Sequence, residues 1–309
     1  MALRIITVRD LRSGHMGQSV GDMTTRVAII FGASGFLGSH LRRKLRKFNI
    51  PYISVSRHKI EDETSPSFSF DFGALESFVK SSPTPQDLVV FNLVGSGRET
   101  LARPMFETNF ELAKRIISFS KKIRATKLVH VGGFGIPYGN QLSPESYYFS
   151  KGAAINSIVS SGLSAAILNP SYIVGKGDAL EEAIRSSLAK GRFAVPSLEP
   201  LYIQPVFIDD FVDVLSSAMD LPDGLAVIDV LGEKIELGDF FSRVFKRLSH
   251  SIRIERIPLE TALRSALFEP DAAFGVSDLC ILTSNRLGEY AGNVLGVRIR
   301  PVDELVAGL

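Results

Sequence analysis

The 309-residue chain contains a single cysteine, Cys280, and no tryptophan. One cysteine excludes an internal disulfide framework and suits a reducing intracellular compartment. No apolar run approaches the roughly 20 residues that span a bilayer, so the chain reads as soluble and not transmembrane. An excess of one charge is missing too. The net charge of +2 gives no electrostatic reason to expect nucleic acid or an acidic partner. The five histidines (His15, His40, His58, His130, His250) show no ligand spacing and have no cysteine partners, which argues against a metal site. Internal repeats and low-complexity tracts are absent. What remains is an ordinary globular composition, 45% hydrophobic and 22% charged. Its length fits one large α/β domain, or a main domain with a smaller one.

The chain is organised around Val27 to Leu41, VAIIFGASGFLGSHL. A short apolar run, Val27 to Phe31, breaks into Gly32, Gly35 and Gly38. Leu37, Leu41, Leu45 and Phe48 then recur on one helix face. This is strand, glycine turn, helix. A side chain in the turn would block a diphosphate from the backbone, and another would hold the helix off the strand. The freed N–H groups and the helix dipole then favour an anion. The basic run Arg42, Arg43, Lys44, Arg46 and Lys47 falls where polar residues belong, and reads as a solvated helix face.

Downstream, strands and helices alternate. PYISVS (Pro51 to Ser56) reads as a strand, Ser67 to Phe70 as a short one, and DLVVFNLV (Asp87 to Val94) as a third. KLVHV (Lys127 to Val131) and Ala165 to Asn169 follow. Helices are expected from Leu75, over Phe106 to Ile123, and over Tyr147 to Ser161. The rhythm implies right-handed βαβ units and a doubly wound parallel sheet of Rossmann type. Beyond Pro170 it loosens into a smaller C-terminal α/β lobe, with strands at Ala226 to Val230 and Ile252 to Ile257 around the helix Leu237 to Leu248. Asp209 or Asp210 is expected to cap a helix running to Met219. The expected division is an extension over 1–24, a dinucleotide-binding domain over 25–170, and a substrate or interaction lobe over 171–309, interleaved with the first. The arginine-rich, acid-poor extension reads as a disordered segment or a misplaced start ahead of Met23; a mitochondrial leader is the alternative.

Two features bear on chemistry. The second strand ends in Arg57, His58 and Lys59, with no acid before Glu61. Arginine there pairs with a ribose 2′-phosphate, where an acid would accept from the 2′-hydroxyl, so NADP(H) is favoured with NAD as the alternative. Tyr147 lies four residues before Lys151 on one helix face. A tyrosine with its ordinary pKa near 10 is a poor acid at neutral pH, and a neighbouring lysine favours the phenolate.

With these residues in view, the chain resembles the short-chain dehydrogenase/reductase superfamily, in its extended or atypical, epimerase/dehydratase-like branch. The resemblance covers about Thr25 to Met219. It rests on GASGFLG (Gly32 to Gly38), Asp71, NLVG (Asn92 to Gly95), Asn109, the VHV strand, YYFSK (Tyr147 to Lys151) and NPSYIVGKGD (Asn169 to Asp178). It implies that Gly32, Ser34, Gly35, Phe36, Leu37 and Gly38 hold the dinucleotide's phosphates. Asp71 with Phe72 would meet the adenine, and Leu93, Val94 and Gly95 would line the adenosine. Pro170 would border the nicotinamide. Tyr147 would be the acid/base, and Lys151 its activator and cofactor anchor. Within the superfamily, QPVFIDDF (Gln204 to Phe211) is similar to a segment of the NAD(P)H-binding accessory subunit of respiratory complex I and its bacterial relatives.

One departure counts against catalysis. The family places a serine or threonine at the end of the strand preceding the tyrosine, and here Gly132, Gly133, Phe134, Gly135 and Ile136 stand there. Loss of one polarising donor costs about 2.7–4 kcal/mol of transition-state stabilisation. Asn169 also stands where many extended members carry arginine. Two functions follow as expectations. One is a cofactor-binding accessory or weakly active protein, with a respiratory complex or a second copy as partner. The other is an active oxidoreductase or epimerase/dehydratase on a small carbonyl or sugar-nucleotide substrate. A cytoplasmic location is expected for either, with the matrix side of the mitochondrial inner membrane as the alternative.

Overall fold

Val27, Ala28, Ile29, Ile30 and Phe31 are all buried, as a strand with a neighbour along each edge and both faces covered requires. The computed structural model describes residues 5–6, 25–61, 65–82, 86–96, 104–136, 146–248, 250–269, 272, 274–284 and 286–309. In chain order the main elements are β1 (Thr25–Phe31), α1 (Phe36–Lys47), β2 (Tyr52–Val55), β3 (Ser67–Phe68) and α2 (Phe72–Lys80). They continue with β4 (Gln86–Asn92), α3 (Leu112–Lys122), β5 (Lys127–Val131), α4 (Ser146–Val159), β6 (Ala165–Pro170) and β7 (Leu225–Val230).

The order across the sheet is β7, β6, β5, β4, β1, β2, β3, with the pair Ile5–Ile6 added beside β7. The registers of β1 to β6 are parallel, as is Ile5–Ile6 with Leu225–Ala226. This is the expected doubly wound sheet. The order reverses at β1, so a ligand crevice opens outside the carboxyl ends of β1 and β4. Apart from Ile5–Ile6, the extension over 1–24 lies outside the described residues.

The chain divides into two units, Met1–Asn169 with Val212–Asp229, and Pro170–Phe211 with Val230–Leu309. The strand at Ala226 to Val230, read from sequence as part of the C-terminal lobe, is Leu225–Val230 and instead joins the main sheet beside β6. Strand pairing over such a distance leaves no local trace in sequence. The second unit has its own core. Phe193 stacks on Phe241 at 3.8 Å between centroids and packs edge-on to Phe274, and Phe245, Leu237 and Leu305 belong to the same cluster. A strand at Arg192–Val195 runs parallel to Arg253–Arg256, and the helix Leu237–Arg247 begins on Glu236, which accepts from the Asp239 N–H.

The Gln204 to Phe211 segment is explained by the architecture of this unit. The Gln204 carboxamide donates to the carbonyls of Gly232 (3.1 Å) and Gly288 (3.0 Å) and accepts from the Gly288 N–H (2.8 Å). Asp210 caps nothing. Its carboxylate accepts from the Arg300 backbone N–H at 2.9 Å and from Arg300 Nε at 2.8 Å, and that guanidinium lies over Phe207. The helix here starts at Ile208, one residue before the expected cap. Conversion of the arginine's long side chain into a fixed strut needs both partners, and they lie 90 residues apart.

Candidate dinucleotide and active site

The glycine turn follows β1. Gly32 has φ +86°, a left-handed value that glycine adopts without strain. Its N–H and that of Ala33 both donate to the Val55 carbonyl, at 2.9 and 3.2 Å, which ties the turn to the end of β2. A Cβ on Gly32 would stand 3.0 Å from the Leu93 carbonyl carbon and 3.2 Å from Val94 N, so the turn and the β4 exit touch through backbone. A Cβ on Gly38 would lie 2.2 Å from the Gly32 carbonyl oxygen and 2.7 Å from Ala33 Cα. Gly35 precedes α1 without a side-chain cap, and the helix's first turn holds no acid. These are the features an anion needs: close backbone, uncapped N–H groups and the positive end of a helix dipole.

Because the atoms facing Gly38 are backbone, alanine there can be accommodated only by moving α1 off the turn. Gly38→Ala is expected to lose about 1–3 kcal/mol of stability and to weaken NADPH binding with it. Urea unfolding and a nucleotide-fluorescence titration read the two effects, and a variant unchanged in both refutes the fit.

The second half of the site comes from β4, α3, β5 and α4. Beyond Asn92 the chain is held locally: Leu93 N–H donates to the Phe31 carbonyl at 3.0 Å, and Val94 N–H donates to Asn92 Oδ1 at 3.2 Å. Asn109 lies buried in a π-helical turn, Glu107–Glu111, which interrupts the helix expected from Phe106. Such bulges re-aim a side chain where function needs it. Here the Asn109 carboxamide accepts from the Ser96 N–H (2.7 Å), donates to the Ser96 carbonyl (3.1 Å) and donates to Ser150 Oγ (3.0 Å). It fastens the loop after β4 to α4.

Lys151 is buried. Its ammonium donates to the Val131 carbonyl at 3.0 Å, and a Cβ on Gly95 would lie 2.9 Å from Nζ. Gly95 is therefore the residue that lets the loop close over the amine. Burial pulls the Lys151 pKa down to about 8. Beneath it, His130 sits on β5 in register with Asn92 and Ile167, with neither ring nitrogen partnered. Burial first, and the Lys151 charge second, hold its pKa at about 3, so the ring is neutral.

The structure gives the two glycines after β5 separate reasons. A Cβ on Gly132 would fall 2.3 Å from Asn169 Oδ1. Asn169 is buried and donates through Nδ2 to Asp229 on β7 at 3.1 Å, while its Oδ1 has no partner. Burial raises the Asp229 pKa against that hydrogen bond. Gly132 and Asn169 therefore go together. A Cβ on Gly133 would be 3.2 Å from the Tyr147 hydroxyl and 2.8 Å from Ile136 Cδ1. The position facing the phenol thus carries no hydroxyl, and a methyl group fills the space beside it.

Gly32, Leu93, Val94, Gly95 and Lys151 are brought together, with Tyr147 at Gly133. Ser34 is exposed on the turn, and Phe36 and Leu37 begin α1. Arg57 is exposed two residues past β2. Asp71 caps α2, accepting from the Ala74 N–H at 3.0 Å through Oδ1. The Phe72 ring is stacked on Phe31 at 5.5 Å and lies under Arg115. Pro170 opens the second unit. Sequence reading did not single out Ser96, Ser150 or His130. Only the first two follow a pattern, as polar residues beside Gly95 and Lys151.

A parallel sheet reversing at β1, a glycine turn at the reversal and a tyrosine–lysine pair on α4 define a Rossmann-type dinucleotide-binding fold of the short-chain dehydrogenase/reductase kind. Residues 28–226 match the NAD dependent epimerase/dehydratase family, and the chain belongs to that family. It is 24% identical over 239 residues to NADH dehydrogenase (ubiquinone) 1 alpha subcomplex subunit 9, mitochondrial, of Arabidopsis thaliana. That match covers 74% of this chain and 56% of the relative, so the chain spans about half the length of that curated protein. Among solved structures, UDP-glucose 4-epimerase from Thermotoga maritima with UDP-glucose superposes at TM-score 0.65 and 17% identity, covering 91% of this chain and 96% of that one. Bordetella bronchiseptica WbmH in complex with NAD+ gives TM-score 0.66 at 17% identity, with 91% and 96% covered. At such identities the likeness is one of fold.

Proposed function

We propose that this protein holds NADP(H) as a bound, structural or regulatory ligand and turns it over weakly, in the manner of an accessory subunit. The observation that carries the reading is the one at Gly133. The Tyr147 hydroxyl faces a glycine and the Ile136 methyl, where a hydroxyl donor would polarise a substrate oxygen. The binding half has no comparable gap: Gly32 and Gly38 let backbone segments of the turn approach closely, Gly95 leaves room for the Lys151 ammonium, and Arg57 supplies a cation at the end of β2. The nicotinamide group, when bound, would supply hydride chemistry. Of the chain's own residues, Lys151 would hold the ribose, Tyr147 would be the proton donor, and Asp71 and the loop Leu93 to Gly95 would seat the adenosine. The relative's name supports a respiratory-complex partner and a mitochondrial setting. A cytoplasmic protein pairing with its own copy is the alternative. No helix among the described residues is long and apolar enough to cross a membrane.

A second reading, an active oxidoreductase or epimerase on a small carbonyl or sugar nucleotide, is favoured by the intact Tyr147–Lys151 pair and the fixed Asn109. One experiment separates them. The purified protein is expected to retain NADPH through gel filtration, to show turnover near background with a panel of carbonyls and nucleotide sugars, and to bind NADPH equally well as Tyr147→Phe. Turnover that Tyr147→Phe abolishes would establish the second reading instead.

A further inference from the structure

We infer that the groove between α2 and α3 is a second ligand site, separate from the dinucleotide site, for a small organic phosphate monoester, with Arg115, Ser118 and Lys122 as its binding residues. The inference goes beyond the cofactor reading and does not depend on it.

The groove has a volume of about 460 Å³, within the roughly 300–1,000 Å³ of small-molecule sites. Arg115, Ser118 and Lys122 line it from α3, at spacings of three and four that share one helix face. Gly73 and Glu76 line it from α2, and the Phe72 and Phe119 rings add an apolar surface. Of these residues only Phe72 is among those assigned to the dinucleotide.

The cations of the groove are not committed to carboxylates. Glu76 takes its close partner from its own helix, where Lys80 donates at 2.6 Å, while Lys122 stands off at 3.8 Å. Lys114 meets Glu111 at 3.4 Å. The Arg115 guanidinium lies over the Phe72 ring at 4.5 Å, and among the described residues no carboxylate pairs with it. A guanidinium held on an aromatic face keeps its N–H edge for a bidentate anion. Ser118 adds a donor. Ser120, two residues on, bonds back to the Ile116 carbonyl at 2.8 Å, whereas the Ser118 hydroxyl has no such bond among the described residues. Lys80, Lys114, Arg115 and Lys122 set against Glu76 and Glu111 leave two positive charges over. That is the complement of a phosphate monoester, which is close to a dianion at neutral pH. The rings beside the cations suit an organic body on the phosphate.

Gly73 points the same way. It stands second in α2, where glycine is a poor helix former. Packing does not require it, since a Cβ there would meet nothing nearer than Asp71 Oδ1 at 3.5 Å, an ordinary contact. What the missing side chain provides is room in the groove.

The test is a calorimetric titration of the full chain with phenyl phosphate, with and without excess NADPH, at one fixed ionic strength. It is run on wild type, Arg115→Gln, Lys122→Gln and Gly73→Leu, with thermal melting of each. Wild type is expected to bind phenyl phosphate saturably, with NADPH present as well as absent. Arg115→Gln is expected to weaken binding about tenfold, as removal of one charge-assisted contact predicts, and Lys122→Gln by less. Gly73→Leu is expected to abolish binding yet melt no lower than wild type, because leucine is the better helix former. Absence of saturable binding to wild type overturns the inference, and so does binding that Arg115→Gln and Gly73→Leu leave unchanged. Displacement of phenyl phosphate by NADPH would put the phosphate on the glycine turn and overturns it too. Benzoate bound as tightly as phenyl phosphate overturns the assignment to phosphate. None of these failures touches the dinucleotide reading.

Discussion

Lys151→Met is expected to make the ligand-free protein more stable at pH 7 and, at the same time, to cripple dinucleotide binding. The lysine's ammonium is buried with a backbone carbonyl as its hydrogen-bond acceptor, and burial brings its pKa from 10.5 to about 8. Between those values the unfolded chain holds a proton that the native state has released. Stability therefore rises with pH across that window, and below pH 8 the full penalty is present. Two and a half pKa units at 1.36 kcal/mol each amount to about 3 kcal/mol. Methionine removes that penalty but leaves the Val131 carbonyl without its donor, which costs about 1 kcal/mol. The net expectation is a gain of about 2 kcal/mol at pH 7, shrinking towards pH 10, where wild-type lysine is itself largely neutral. A hydrogen bond to a charged group is worth about 1.5–3 kcal/mol, so NADPH affinity should fall about 10- to 100-fold. Guanidinium unfolding at pH 7, 8.5 and 10 tests the stability side. A variant less stable than wild type at pH 7 would falsify it.

His130→Leu is expected to relieve an acid sensitivity. The imidazole is buried and neutral, and its pKa is held at about 3 by burial, with the Lys151 charge adding to the effect. The unfolded chain takes up the proton near 6.5 and the native state does not, so stability is lost as pH falls through that interval. By pH 4 the loss attributable to this one group is about 3 kcal/mol. Leucine has no such window. At neutral pH it also removes two unpartnered ring nitrogens, each a desolvated polar atom without compensation. The stability difference between variant and wild type should therefore widen steadily from pH 7 to pH 4, read as urea midpoints. A constant difference would show that His130 titrates normally and that the ring is not buried in solution. Both predictions concern one small region under α4. The protein carries there a buried cation and a buried imidazole that a core built for stability alone would replace with apolar groups. Lys151 would have a use for its position in the proposed dinucleotide site; His130 has none that its contacts reveal.

The departure at Gly133 gains meaning from its surroundings. As a bare sequence fact, the missing serine would weaken any catalysis at this site. In the structure the Ile136 Cδ1 methyl lies 2.8 Å from where a Cβ on Gly133 would stand, so a hydroxyl-bearing side chain there must displace that methyl group as well. Gly132 is tied to Asn169, and Asn169 to Asp229, so three positions far apart in the chain depend on one another.

The glycine turn, the alternation of strands and helices, and the Tyr147–Lys151 pair were legible from sequence because each is a short-range property. Glycine spacing encodes backbone clearance over seven residues, strand runs encode two-sided burial, and a four-residue separation encodes a shared helix face. These sufficed for the parallel doubly wound class, and they are what the proposed dinucleotide site rests on. Tertiary structure decided whatever depends on contacts between distant segments. It put Leu225–Val230 into the main sheet, and made Gln204 and Asp210 anchors for Gly288 and Arg300. It buried Lys151 against Gly95, left His130 without partners, and turned Arg42 from a solvated face towards Ala33. Local pattern states which face of an element is apolar. Only packing states which atoms meet it, and burial, pKa and the geometry of a reacting hydroxyl are set by those atoms.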